Sequence, residues 1–267
     1  MDGLKVLIEP TIRILQEAGR LLISFRASSL SRTRKPDQGF VTEADLAVES
    51  FLVNKLSELT PGYHFYAEEN GEIAEGESDY CWVIDPLDGT NNFAQGLPHF
   101  CISVALTHRH EPVLGFVYQP LLNEMFHAIK HGGAYLNDKP IHVSSHREIE
   151  GSVLVSCIPY IRSAQTIRKV HEITDLALHY CVLRILGAAA LDQAYVACGK
   201  IDGIFLGALG WWDVAAGLLL IQEAGGIVTE IDGRKLVTKA FRSFIGGNAY
   251  IHRALAQTLQ DDEDSEN

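Results

Sequence analysis

At 267 residues, with 47% hydrophobic and 21% charged side chains, the chain has an ordinary globular balance and can bury a substantial core. A formal net charge of −12 argues against a nucleic-acid surface, and no apolar run approaches the roughly 20 residues needed to span a bilayer. The opening Met1-Asp2-Gly3 lacks the basic segment and apolar block of a secretory leader, and five scattered cysteines (81, 101, 157, 181, 198) suggest reduced thiols in the cytoplasm, without the close pairing of a zinc site.

Helical spacing runs through Leu4, Leu7, Ile8, Ile12, Leu15, Leu22 and Ile23, predicting a helix over 4–26. Ser28 to Gly39 is polar and basic and reads as a loop or loose hairpin. A second helix carries Ala44, Ala47, Val48, Phe51, Leu52 and Leu56 on one face and ends at Pro61-Gly62. From Trp82 to Val143 the pattern changes to strands. Cys101–Thr107, Pro112–Gln119, Glu124–Ile129 and Ala134–Leu136, separated by polar or glycine-containing turns, predict an antiparallel meander. A strand at 152–156 and a helical stretch around 163–179 follow. Helices at Ala188–Cys198 and Val214–Ala224 are flanked by strands at 203–206 and 227–231, and a last helix covers 250–260. The class expected is layered α/β with mixed or antiparallel sheets over residues 1–260, in lobes of roughly 1–148 and 149–260. Residues 261–267 form an acidic tail, expected to be disordered, that holds five of the excess negative charges.

Chemistry concentrates at Trp82-Val83-Ile84-Asp85-Pro86-Leu87-Asp88-Gly89-Thr90. A buried strand runs straight into two carboxylates, and Pro86 is expected to stop its ladder. Asp-Pro and Asp-Gly are common turn dipeptides, so a turn with a helix cap is the plain alternative. Two acids at the mouth of a buried strand are costly unless a cation lies between them, and a hard cation such as Mg²⁺ suits oxygen ligands. The helix start beyond offers backbone N–H groups to a phosphate. Three further acids end or open apolar elements. Asp45 follows Thr42 at the spacing of a capping box, Glu68 ends the run Phe65-Tyr66-Ala67, and Asp213 precedes an all-apolar helix as an N-cap would. Together they suggest one acidic pocket and metal-assisted phosphoryl chemistry.

These motifs, with Trp212-Asp213-Val214-Ala215-Ala216-Gly217 and Glu223-Ala224-Gly225-Gly226, resemble those of the inositol monophosphatase family of Mg²⁺-dependent, lithium-sensitive sugar phosphatases, in order and spacing from about residue 5 to 260. The resemblance implies an αβαβα layered sandwich, a homodimer, and hydrolysis of a small phosphorylated metabolite with two to three Mg²⁺ per site. It implies metal ligation by Glu68, Asp85, the Leu87 carbonyl, Asp88 and Asp213, and water activation by Asp45 with Thr90. It places Gly89 and Thr90 on the phosphate and Gly187-Ala188-Ala189 on the sugar side, with Glu68, Leu87, Asp88 and Asp213 also lining the substrate.

One position departs from that pattern. Inositol-selective relatives carry a Glu seven residues before the Trp-Asp aspartate, where this chain has Leu206. Leucine accepts no hydrogen bond, so Leu206 is expected to disfavour inositol phosphates. Fructose 1,6-bisphosphate, histidinol phosphate, a 3′-phosphonucleotide and NADP are the alternative substrates, and a regulatory binding protein on the same fold is the alternative function. Arg34 and Lys35 stand where relatives often place a Lys near the metal loop, or else form a solvated basic loop. His99, His108, His110, His127 and His131 read as turn or surface residues.

Overall fold

The computed structural model describes residues 2–26, 32–35, 39–73, 78–157, 171, 174–207, 209–236 and 243–264. Helices α1 (Asp2–Phe25) and α2 (Glu43–Leu59) flank a short hairpin, β1 (Arg32–Lys35) and β2 (Gly39–Thr42). An eight-stranded sheet follows, built from β3 (His64–Ala67), β4 (Gly71–Ile73), β5 (Tyr80–Asp88), β6 (Cys101–His108), β7 (Glu111–Gln119), β8 (Glu124–Ile129), β9 (Gly133–Leu136) and β10 (Lys139–Pro140). Its order is β10-β9-β8-β7-β6-β5-β3-β4, with every neighbouring pair antiparallel except β3 and β5. The five-stranded sheet joins β11 (Val153–Ser156), β12 (Val182–Arg184), β13 (Gly203–Gly207), β14 (Ile227–Glu230) and β15 (Ser243–Gly247) in the order β12-β11-β13-β15-β14. Further helices are α3 (Thr90–Ala94), α4 (Ala189–Ala197), α5 (Ala215–Glu223) and α6 (Ala249–Asp264).

Side-chain alternation along the strands builds the layers. On β5, Trp82 and Ile84 join Leu15, Leu22, Val48 and Leu52 in a core under α1 and α2. Val83, one residue out of phase, faces the other way, into a core with α4 and α5. That middle core also takes Val155, Ile204 and Leu206 from the smaller sheet. Phe205 and Leu154 point to the far side, where they pack with Ile251 and Leu255 of α6. The sequence of layers is therefore helix, sheet, helix, sheet, helix. Helix α5 is buried from Ala215 to Ile221 because it lies between two sheets, which explains why it is apolar all round.

Several elements differ from the sequence reading. Pro86 does not end the strand: β5 continues to Asp88 through a register shift between Asp85 and Asp88, a bulge that needs no N–H from proline. Strands β4, β10, β12 and β15 are not among the predicted elements, being very short or weakly alternating. The last helix runs to Asp264, so the acidic segment begins as helical backbone, there being no glycine or proline after Gln260 to stop it. Most of the helix expected at 163–179 lies outside the described residues, of which 174–179 are helical. The side chains of Arg34 and Lys35 and residues 265–267 also lie outside them. No helix among the described residues is long and apolar enough to cross a membrane.

Candidate active site

The bulge in β5 is the device that brings Asp85 and Asp88 together. Residues three apart on a regular strand point to opposite faces. Here Asp85 pairs with Ser103 and Asp88 with Cys101, so the extra residue on β5 puts both acids on the face that looks toward α4 and α5. Both are buried, at 1% and 7% exposure. Asp213 reaches the same point from the loop before α5, and one carboxylate oxygen from each of Asp85, Asp88 and Asp213 lies within 4.8 Å of the others. Glu68 follows β3 in the turn beside β5, its N–H donating to the Ile84 carbonyl at 3.1 Å.

Asp85, Asp88 and Asp213 are each held by backbone amides. Asp85 Oδ1 accepts the Leu87 N–H at 2.9 Å. Asp88 caps α4 from 101 residues away, its Oδ1 accepting Ala189 N–H at 3.0 Å and its Oδ2 Ala190 N–H at 2.8 Å. Leu191 N–H adds a contact at 3.3 Å. The N-cap of helix α4 is Ala188, which has no capping side chain, so the carboxylate supplies what the local sequence lacks. Asp213 does not cap α5, whose N-cap is Val214; its Oδ2 instead accepts Gly210 N–H at 2.6 Å. The Trp212 ring lies 5.2 Å from that of Tyr66 on β3, joining this loop to the strand that precedes Glu68.

Asp45 serves two purposes that the sequence offered as rivals. Its Oδ2 closes the capping box, accepting Thr42 N–H at 2.8 Å and Thr42 Oγ1–H at 2.5 Å. Its Oδ1 lies 3.1 Å from Thr90 Oγ1, which is equally close to the Leu87 carbonyl. Gly89 allows this turn, with φ of 87° and a Cβ position only 2.9 Å from the His99 carbonyl oxygen. The expected sugar-side segment also converges here: Ala189 binds Asp88, and a Cβ on Gly187 would stand 3.3 Å from Asn92 Nδ2. Leu206, at 1% exposure, contributes packing in the middle core.

Burial raises the proton affinity of Asp85, Asp88 and Asp213. Repulsion from Glu68, Asp88 and Asp213 adds to this at Asp85, and the α4 amides offset it at Asp88. Asp45 is raised by burial as well, against the opposing hydrogen bonds from Thr42. Among the described residues, no Lys or Arg forms an ion pair with these four acids. A divalent cation with oxygen ligands would relieve that repulsion.

Sequence reasoning missed three supports. Glu49, fully buried on α2, accepts Glu69 N–H at 2.9 Å and Asn70 N–H at 3.0 Å, fixing the turn that holds Glu68. Its sign was an acid on the apolar face of that helix. His99 is no bare turn residue: its Nε2 lies 2.8 Å from Oδ1 of buried Asp192. Gln193 holds the Asp213 carbonyl. Asp192 and Gln193 were polar interruptions in an alanine-rich apolar helix. Glu223, a motif residue, ties α5 to the β8–β9 turn through His131 N–H at 2.7 Å and Gly133 N–H at 2.9 Å, away from the acids.

Comparison with known proteins agrees with this architecture. The profile described as "Inositol monophosphatase family" matches residues 4–263. The chain belongs to the inositol monophosphatase family. It is 34% identical over 256 residues to the inositol-1-monophosphatase of Mesorhizobium japonicum, covering 95% of this chain and 96% of that protein. It is 33% identical over 255 residues to the Nus factor SuhB of Escherichia coli K12, covering 94% of each. The extragenic suppressor protein suhB of Bartonella henselae superposes with a TM-score of 0.90 at 33% identity, over 96% of this chain and 98% of that one. Membership supports a phosphomonoesterase, in a family that is metal-dependent, and the acidic cluster is a place where a metal ion could be held.

Proposed function

We propose that this inositol monophosphatase family member hydrolyses a small sugar or polyol phosphate with Mg²⁺, in the cytoplasm and as a homodimer. The observation that carries the reading is the convergence of Asp85, Asp88 and Asp213 within 4.8 Å, with no Lys or Arg paired to them among the described residues. The ligands would be Glu68, Asp85, the Leu87 carbonyl, Asp88 and Asp213. Bound there, Mg²⁺ would supply charge to neutralise the phosphate and to acidify water.

The chain's own groups do the rest. Thr90 Oγ1 has two acceptors at 3.1 Å, Asp45 Oδ1 and the Leu87 carbonyl; with the Leu87 carbonyl given to the cation, its single proton goes to Asp45 Oδ1, leaving a lone pair to accept a proton from the attacking water. That proton passes through Thr90 to Asp45, whose burial makes it a better base than an exposed carboxylate. The Gly89 and Thr90 N–H groups at the start of α3 bind phosphate oxygens. Gly187, Ala188 and Ala189 border the sugar, and apolar Leu206 shifts preference away from inositol phosphates. No covalent enzyme intermediate is required.

The test is phosphate release from a panel of phosphomonoesters, including inositol 1-phosphate, fructose 1,6-bisphosphate and a 3′-phosphonucleotide, with Mg²⁺ or EDTA. Mg²⁺-dependent turnover that disappears in Asp213→Asn is expected. Relatives named as Nus factors favour a second reading, a regulatory partner role on the same fold. Absence of turnover on the whole panel, despite measurable Mg²⁺ binding, would favour that role.

A further inference from the structure

Helix α4 meets two of the three clustered acids. Its first amides hold the Asp88 carboxylate, and Gln193, one turn further on, holds the Asp213 main chain. Gln193 is fully buried. Its Nε2 donates to the Asp213 carbonyl at 2.7 Å and to the Ala189 carbonyl at 2.9 Å, using both protons. Its Oε1 is buried with no partner among the described residues. Exchanging the two ends of the amide would set Oε1 against two carbonyl oxygens, so the partners fix its orientation. Burial of an orphan acceptor is unfavourable, and it is tolerated here where the donor end ties two elements together.

The opposing helix is shaped to admit this side chain. A Cβ on Gly217 of α5 would lie 2.5 Å from both Cβ and Oε1 of Gln193. Gly217 closes the motif that begins Trp212-Asp213, so the motif carries an acid and, one turn later, the space that lets Gln193 reach that acid's peptide. The side chain leans back toward the N-terminus of α4, as helical side chains do, and so ends beside the turn that holds Asp88.

We propose that Gln193 is a positioning residue that registers Asp213 against Asp88 through helix α4, setting the spacing of the acids for their cation. This rests on the metal-dependent reading of the site. Loss of the amide leaves the carboxylates in place and lets the Asp213 peptide move, which weakens cation binding more than the chemical step.

The test is Gln193→Met, which keeps the volume and removes both donors. Mg²⁺ affinity is measured by calorimetry and by the Mg²⁺-induced rise in Tm, alongside kcat and the Mg²⁺ concentration for half-maximal turnover. Affinity should weaken about three- to tenfold, the scale of one buried hydrogen bond, and the half-maximal concentration should rise equally. At saturating Mg²⁺, kcat should stay within about twofold of wild type. If Gln193→Met fails to fold, Gln193→Leu, an apolar side chain of similar size that also lacks both donors, should show the same split. A lower metal-free Tm with unchanged Mg²⁺ affinity would make Gln193 a packing residue and overturn the proposal. Wild-type protein that binds no Mg²⁺ would instead overturn the reading beneath it.

Discussion

Thr90 Oγ1 lies 3.1 Å from Asp45 Oδ1, across 45 residues of sequence and between the first turns of two different helices. The hydroxyl and carboxylate form one unit, so removing either should cost about as much as removing both. Thr90→Val and Asp45→Asn are each expected to lower kcat by about 10²–10⁴-fold. The double variant should be little worse than either single one. Steady-state kinetics on the three proteins, with Tm as a folding control, decides this; additive losses would separate the two roles.

Asp85 is buried and repelled by Glu68, Asp88 and Asp213. Asp85→Asn keeps an acceptor for Leu87 N–H and removes one of the repelling charges. The metal-free variant should therefore be more stable than wild type, by about 1 kcal/mol or more, while losing its Mg²⁺ response. Urea denaturation in EDTA and in Mg²⁺ provides the comparison. A variant less stable in EDTA would mean that the acids are not in conflict.

Asp192 is 2% exposed, and burial pushes its pKa up to about 6 despite the opposing pull of His99. An unfolded aspartate titrates near 3.9, so between about pH 4 and 6 the folded chain keeps a proton that the unfolded chain releases. Stability from this group is thus lost as pH rises through that window and is level above it. Asp85, Asp88 and Asp213 shift in the same direction. In EDTA the wild type should be more stable near pH 5 than near pH 7, and Asp192→Asn should flatten part of the slope. Denaturation midpoints across that range measure it.

Glu49 accepts hydrogen bonds from Glu69 N, Asn70 N and Asn70 Nδ2. Glu49→Ala leaves those donors without it and frees the turn that holds Glu68. A loss of about 2–4 kcal/mol is expected, together with weaker Mg²⁺ binding. Chemical denaturation and calorimetry report the two effects; a stable variant with normal Mg²⁺ affinity would detach Glu49 from the site.

Leu206 tests substrate choice. At 1% exposure it sits where Leu206→Glu buries a carboxylate, so Tm should fall. The ratio of kcat/KM for inositol 1-phosphate over an acyclic phosphomonoester should nevertheless rise, by about fivefold or more, the scale of one hydrogen bond to a hydroxyl. An unchanged ratio would remove Leu206 from the specificity determinants.

The sequence by itself determined most of the elements, their α/β class and the acids. Period-two and helical spacing identified most strands and helices because each element buries one face, and that requirement is written locally. Asp85, Asp88 and Asp213 stood out because charge at the end of an apolar run is unfavourable without a partner. Tertiary structure decided how those acids are held. Pro86 looked like a strand terminator until pairing with β6 revealed a bulge, which turns Asp88 to the same face as Asp85. Asp213 looked like the cap of the helix that follows it, whereas Asp88, from a distant strand, caps α4. Spacing along the chain specifies which face a residue takes within its own element. The partners of Glu49, Asp192 and Gln193 depend on how separate elements pack, and no local pattern carries that information.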